Sequence, residues 1–166
     1  GKQFLSEHGV GVASRTGLVE HMMGAGYSPE YLREINLITD EAQVIEEGRL
    51  IFTMYDHRGK PVGFITRNFG EKTKCMSTTS AGAKFTLPSK GDILYGIDSA
   101  KKFAKTKTLF LFEGQGDVLS GHVNGLPNCG AIQGTALTEQ QVHVIQRLAF
   151  RNVTLCLDWD EPGQAA

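Results

Sequence analysis

The spacing of apolar positions changes period along the chain. Up to residue 37 it is helical: "RTGLVEHMMGAG" (15–26) repeats Leu18, Met22 and Met23 before stopping at glycine. "SPEYLREINL" (28–37) opens with Ser28 as a cap and Pro29 in the first turn, a helix-start signature. Two short helices are expected, with Met22 and Met23 as core filling. From residue 49 the period shortens, and two β-rich runs, 49–55 and 61–67, flank "DHRGKP", where Gly59 and Pro61 mark a turn. That is a hairpin, followed by an extended stretch near "KCMSTTS" (74–80). Beyond residue 90, "TLFLFEG" (108–114), "NCGAIQG" (128–134) and "NVTLCLDWD" (152–160) are short apolar runs. Between them, "GDVLSGHVNG" and "TEQQVHVIQRLAF" keep helical spacing. Apolar strands alternating with helices imply a parallel sheet buried on both faces, so the expected class is α/β.

Length and composition narrow the class. A chain of 166 residues holds one main core with room for a small appendage. Hydrophobic residues at 40% and charged residues at 21% argue against wholesale disorder and against a membrane protein. No apolar run approaches the roughly 20 residues that span a bilayer, and the first residues lack the apolar centre of a signal peptide. A soluble cytoplasmic protein is the expectation. Cys75, Cys129 and Cys156 are odd in number and widely spaced, which fits buried or inert thiols better than disulfides or structural zinc.

Charge is segregated. Residues 1–47 carry 3 basic and 8 acidic side chains, residues 48–108 carry 12 and 4, and residues 109–166 carry 2 and 6. A basic block beside an acidic one suits a polyanion held next to carboxylate-bound metal. Taken alone, Lys101, Lys102, Lys105 and Lys107 equally well solubilise a helix face. In an open α/β sheet, ligands bind beyond the carboxyl ends of the strands. Glu113 ends the first expected strand of this region, and Asp158 and Asp160 end the third. Gathering three carboxylates is unfavourable without a cation, and hard oxygen ligands suit Mg²⁺ or Mn²⁺. A D-x-D pair is a weak motif by itself, and acids at strand ends are commonly just solvated. Asp117 either joins the cluster or caps the next helix. "IQGTALTEQQV" (132–142) offers N–H groups and a hydroxyl to an anion, or else Gly134 makes a tight turn and Thr138 caps a helix beside Gln141. The five histidines have no metal-ligand spacing, and no P-loop or nucleophile elbow is present.

Segment by segment the chain resembles the catalytic core of DnaG-type bacterial and phage primases. "GYSPEYLREINL" resembles the helical lead-in, and "GRLIFTMYDHRGKPVGFITRNFG" the family's double-arginine hairpin, with Arg49 and Arg67 at the two arginines. "TKCMSTTS" matches the next conserved-type segment through Lys74, Ser77 and Thr78, and "KGDILYGIDSAKK", opening at Lys90, matches over many positions. "LFLFEGQGDVLS", "AIQGTALTEQQV" and "LCLDWDEPGQAA" resemble the Toprim segments shared with topoisomerases and some nucleases.

The resemblance implies an α+β N-terminal subdomain over 1–106 and a partial Toprim domain over 107–166, truncated at its C-terminus. It implies Glu113 as general acid/base and Asp158, Asp160, Glu113 and Asp117 as ligands of two or more Mg²⁺ or Mn²⁺ ions, with no zinc. Arg49, Arg67, Lys74, Ser77, Thr78, Lys90, Gly134 and Thr135 would bind nucleotide and nucleic acid. The implied reaction is template-directed synthesis of RNA primers on single-stranded DNA from NTPs by nucleotidyl transfer, with a replicative helicase engaged through absent regions. A Toprim nuclease, a topoisomerase-like enzyme and a non-catalytic nucleic-acid-binding module are the alternatives. The chain departs from the family at Gln115-Gly116 and at Trp159, for which packing against the helices is expected ahead of the alternative, a place in a nucleic-acid surface.

Overall fold

A computed structural model describes residues 1–14, 17–35, 37–42, 48–67, 76–77, 90–106 and 108–159. The chain divides into two compact units, Gly1–Thr53 with Gly63–Leu87, and Met54–Val62 with Pro88–Ala166.

The first unit is built on a sheet of order β1-β2-β3-β4. Its strands are β1 (Val10–Val12), β2 (Leu50–Tyr55), β3 (Pro61–Arg67) and β4 (Met76–Ser77), and its helices are α1 (Lys2–Glu7), α2 (Leu18–Gly24) and α3 (Pro29–Glu34). The hairpin and the extended stretch near residue 76 stand where the sequence puts them. β1 pairs antiparallel with β2, Gly11 opposite Ile51, and β3 pairs antiparallel with β4, Ile65 opposite Ser77. The Ser28 hydroxyl accepts the Tyr31 N–H at 3.2 Å, which is the N-cap the sequence announces. Leu32 of α3 and Ile65 of β3 are fully buried. Helix α2 buries none of its residues, and Met23 is exposed, so the expectation that Met22 and Met23 fill the core fails for Met23. Leu18, Val19 and Met22 take the half-buried positions of this short helix.

The tip of the β2–β3 hairpin belongs with the second unit. Asp56 Oδ1 accepts the N–H groups of Arg58 at 2.8 Å and Lys60 at 2.9 Å, closing the turn. Desolvation pushes the Asp56 carboxyl up, but these donors and the neighbouring His57 and Arg58 charges outweigh it and hold it below the usual range. Lys101 Nζ donates to the His57 carbonyl at 2.6 Å, so this lysine braces the tip and is not just a solubilising charge.

The remainder of the second unit runs through a 3-10 turn (Lys90–Asp92), α4 (Ile97–Ala100), a second 3-10 turn (Lys101–Thr106), β5 (Thr108–Phe112), α5 (Gln115–Val123), β6 (Cys129–Ala131), α6 (Glu139–Arg147) and β7 (Asn152–Cys156). The sheet is parallel with order β6-β5-β7, as the alternation of strands and helices predicts. Leu109 and Leu111 of β5 are fully buried in a cluster with Leu94, Ile97, Ala100, Ile132, Ile145 and Phe150. Helix α5 lies against the other face of the strand, where Gly121 approaches Phe112 and Cys129. Strand β6 is buried throughout, and Tyr95 bridges Ala131 along its outer side. The chain turns there at Gly96, whose φ is 77° and whose missing Cβ would stand 2.9 Å from Val118 Cγ1.

Strand β7 departs from the expectation of burial on both faces. Its first four residues are exposed, with Val153 at 41% and Leu155 at 53%. The cause is its edge position: the buried cluster takes Leu109 and Leu111 from β5 and no residue of β7, and no strand flanks β7 on its outer side among the described residues. The strand also ends at Cys156, earlier than the expected 160, and the chain bends at Trp159.

Candidate functional site

Parallel register brings the site together. Phe112, the last residue of β5, stands opposite Ala131 of β6 and Cys156 of β7, so the residues that follow leave the sheet at one level. Glu113 is the first of them. Its main-chain carbonyl accepts the Gln133 N–H at 2.9 Å from the β6 side, and its carboxylate Oε1 accepts the Asp158 N–H at 3.0 Å from the β7 side. The expected juxtaposition of Glu113 and Asp158 is therefore present, through the aspartate's backbone.

Asp158 is exposed and Glu113 half-buried. Neither carboxylate has an ion-pair partner among the described residues. Two uncompensated carboxylates of hard oxygen donors fit a divalent cation such as Mg²⁺ or Mn²⁺ in their chemistry. No group of three His, Cys, Asp or Glu side chains gathers among the described residues, and Asp160 lies outside them. Asp117 Oδ2 accepts the Gly114 N–H at 3.2 Å, taking up the helix-capping alternative at the start of α5. A carboxylate has lone pairs for more than one partner, so that bond and metal ligation are compatible.

The loop after β6 carries residues that sequence reasoning missed. Gln133 adopts a left-handed φ of 64°, uncommon for a side chain other than glycine, asparagine or aspartate. Two side-chain bonds hold it there: Nε2 donates to the Ile93 carbonyl at 3.0 Å, and Oε1 accepts from Gln115 Nε2 at 3.2 Å. Gln115, one of the family departures, is 6% exposed, and its partner Gln133 is the signal that pairs with it. Thr138 and Gln141 form a reciprocal capping box, Oγ1 accepting the Gln141 N–H at 3.2 Å and Oε1 the Thr138 N–H at 3.1 Å. Capping thus accounts for Thr138. Gly134 and Thr135 are exposed between these two fixed points.

Trp159 is 89% exposed. The expectation that it packs against the helices is overturned: the chain has left β7 three residues earlier and bends at this position, with the indole in solvent.

In the first unit, Arg49 precedes β2 and Arg67 ends β3, so the antiparallel hairpin brings both to its base. Arg49 Nη1 lies 3.4 Å from the hydroxyl of the buried Thr66, and Arg67 is exposed. Ser77 lies in β4 and Lys90 opens the first 3-10 turn, whereas Lys74 and Thr78 lie outside the described residues.

The cysteine expectation is met where it is described: Cys129 is buried and Cys156 half-buried, both as free thiols, and Cys75 lies outside the described residues. No helix among the described residues is long and apolar enough to cross a membrane.

Residues 110–166 match the family model described as Toprim-like. A DNA primase of Deinococcus radiodurans is 32% identical over 156 residues, 90% of this chain and 27% of that protein. The RNA polymerase domain of the Mycobacterium tuberculosis primase DnaG superposes with a TM-score of 0.82 at 24% identity, over 99% of this chain and 57% of that one. A DnaG primase catalytic domain bound to single-stranded DNA superposes with a TM-score of 0.77 at 25% identity, over all of this chain and 55% of that one. The chain thus spans about a quarter of the primase it matches in sequence and somewhat more than half of each solved domain. The order of segments, the parallel sheet with its strand-end acids and these similarities together place the chain in the DnaG-type DNA primase family, matched to part of its catalytic core.

Proposed function

We propose that this chain supplies part of the catalytic core of a primase, an enzyme that synthesises short RNA primers from NTPs on a single-stranded DNA template by nucleotidyl transfer. The observation that carries the reading is the 3.0 Å bond from the Asp158 N–H to the Glu113 carboxylate, which joins the acids of two neighbouring strands at one end of the parallel sheet. Residues 107–166 are the Toprim part of this proposal, and residues 1–106 the part that includes the basic block. Glu113, Asp158, Asp160 and Asp117 would hold divalent Mg²⁺ or Mn²⁺, which when bound neutralises phosphate charge. Glu113 is also the candidate general acid/base, able to exchange a proton with the attacking 3′-hydroxyl through its carboxylate. Arg49 and Arg67, with Lys74, Ser77, Thr78 and Lys90, are the candidates for gripping template and nucleotide phosphates. Gly134 and Thr135, exposed beyond β6, are candidates to offer an N–H and a hydroxyl to phosphate. A replicative helicase is a proposed partner of the longer protein.

Two measurements test the reading. Calorimetric titration with Mn²⁺ is expected to show binding that falls at least about tenfold in Asp158→Asn. Glu113→Gln, in the full-length context with single-stranded DNA and NTPs, is expected to lower dinucleotide formation roughly 10²- to 10⁴-fold. Unchanged metal affinity in Asp158→Asn together with unchanged synthesis in Glu113→Gln overturns the proposal.

A further inference from the structure

Trp159 is the chain's single tryptophan, and it is 89% exposed in the bend that follows Asp158. Its neighbour's N–H is held by the Glu113 carboxylate, and consecutive Cα atoms stand about 3.8 Å apart, so the indole is tethered one residue from the carboxylate pair. A tryptophan left in water forgoes a burial of roughly 150–250 Å², among the largest that any side chain offers. Its neighbours in sequence, Asp158, Asp160 and Glu161, are acidic, which disfavours direct contact with phosphate or with an acidic partner. What suits this position is a ligand with two ends: a flat, uncharged ring for the indole, and an anionic end that reaches the carboxylates through a cation.

We propose that Trp159 is a stacking platform for the base of a nucleoside triphosphate whose phosphates are held, through a divalent cation, at Glu113 and Asp158. The inference rests on the metal-dependent reading of those carboxylates. Every nucleobase has a π face, so stacking tolerates all four bases, as a templated reaction requires, and it adds binding without choosing sequence. The platform also gives a role to a residue at which this chain departs from its family.

Having one tryptophan makes the test direct, because the indole emission of the chain is that of Trp159 alone. Paramagnetic Mn²⁺ added by itself reads the metal site through quenching and, in parallel, through calorimetry. Mg²⁺ with ATP is then compared with Mg²⁺ with inorganic triphosphate, which keeps the anionic end and lacks the base. Mg²⁺-ATP is expected to lower the emission saturably, and Mg²⁺-triphosphate to bind with little change in emission. By calorimetry, Trp159→Ala is expected to weaken Mg²⁺-ATP roughly 5- to 150-fold, the range of base–aromatic stacking, and to leave Mg²⁺-triphosphate unchanged. Trp159→Phe should retain most of the affinity for ATP. Equal ATP affinity in Trp159→Ala, an equal loss for triphosphate, or quenching by a single-stranded oligonucleotide without quenching by Mg²⁺-ATP each overturns the inference. Absence of Mn²⁺ binding to the unmodified chain brings down the metal reading itself, and with it this inference. Metal binding without an effect of the base brings down the platform alone.

Discussion

Strands β6 and β7 flank the same central strand and deliver their neighbours to the same glutamate, yet they are built in opposite ways. On the β6 side every strand residue is buried, and Tyr95 exchanges hydrogen bonds of 2.9 and 3.0 Å with Ala131. The fully buried Gln141 donates Nε2 to the carbonyls of Ile93 at 3.1 Å and Ile132 at 3.0 Å. On the β7 side four of the five strand residues are exposed, and the chain passes straight into Asp158 and Trp159. Glu113 is met by its main chain from the first flank and by its carboxylate from the second. The role proposed for Glu113 needs a fixed backbone and an approachable head, and the two requirements fall to different strands.

The strongest way to test this division starts at the central strand that both flanks share. Leu111 is fully buried in the main cluster, and its register partner on β7 is Leu155. Leu111→Ala leaves a cavity that the surrounding helices cannot fill, and it is expected to cost about 2–5 kcal/mol in chemical denaturation. A cost below about 1 kcal/mol shows that this side of the sheet is less tightly closed than its burial implies.

A smaller effect sharpens the contrast at the floor of the β6 flank. The Cys129 thiol, with Sγ 3.0 Å from the Leu126 carbonyl, is pushed up to about 12, first by burial and then by the neighbouring Cys156. A free thiol ionises near 8.5, so at pH 8 the folded chain holds roughly three orders of magnitude less Cys129 thiolate. Because the folded value is raised, this group's contribution to stability is fully present below about pH 8.5. It is lost as pH rises toward about 12. Iodoacetamide labelling at pH 8 with mass-spectrometric readout is expected to modify Cys156 well before Cys129, and the Cys129 adduct to appear only on unfolding.

Periodicity was enough to read the second unit at the level of elements. The runs ending in Phe112, Ala131 and Cys156 form parallel strands because each is short and apolar and helices separate them, one with an identifiable start at Thr138. The meeting of Glu113 with Asp158 follows from that register. What periodicity does not carry is which apolar residues find a cover. Met23, Val153 and Leu155 look like core positions and are exposed, because burial depends on what packs over an element and not on its own pattern. The Gln115–Gln133 bond was equally hidden, since it joins residues 18 apart through a left-handed backbone position that no local rule assigns to glutamine. α1 and β1 are short, and β1 owes its existence to pairing with β2, a tertiary contact and not a local preference.

The smallest expected effect completes the comparison. Leu155 stands directly across from Leu111, one strand away in a parallel ladder, with the same side chain in the same kind of backbone. Side chain and strand propensity are therefore matched; β5 is paired on both sides and β7 on one, but truncating a side chain leaves either ladder in place, so the difference the pair reads is cover: none of Leu111 is exposed, against 53% of Leu155. Leu155→Ala is expected to change stability by no more than about 0.5–1 kcal/mol, because the transfer contribution is reduced and no closed cavity is created. Measured under the same denaturation conditions as Leu111→Ala, the pair isolates the value of cover at constant chemistry. Comparable losses at the two positions mean that β7 is packed over in solution, by association of chains or by further sequence. Repeating the Leu155→Ala measurement across a range of protein concentrations separates these, since only association makes its cost depend on concentration.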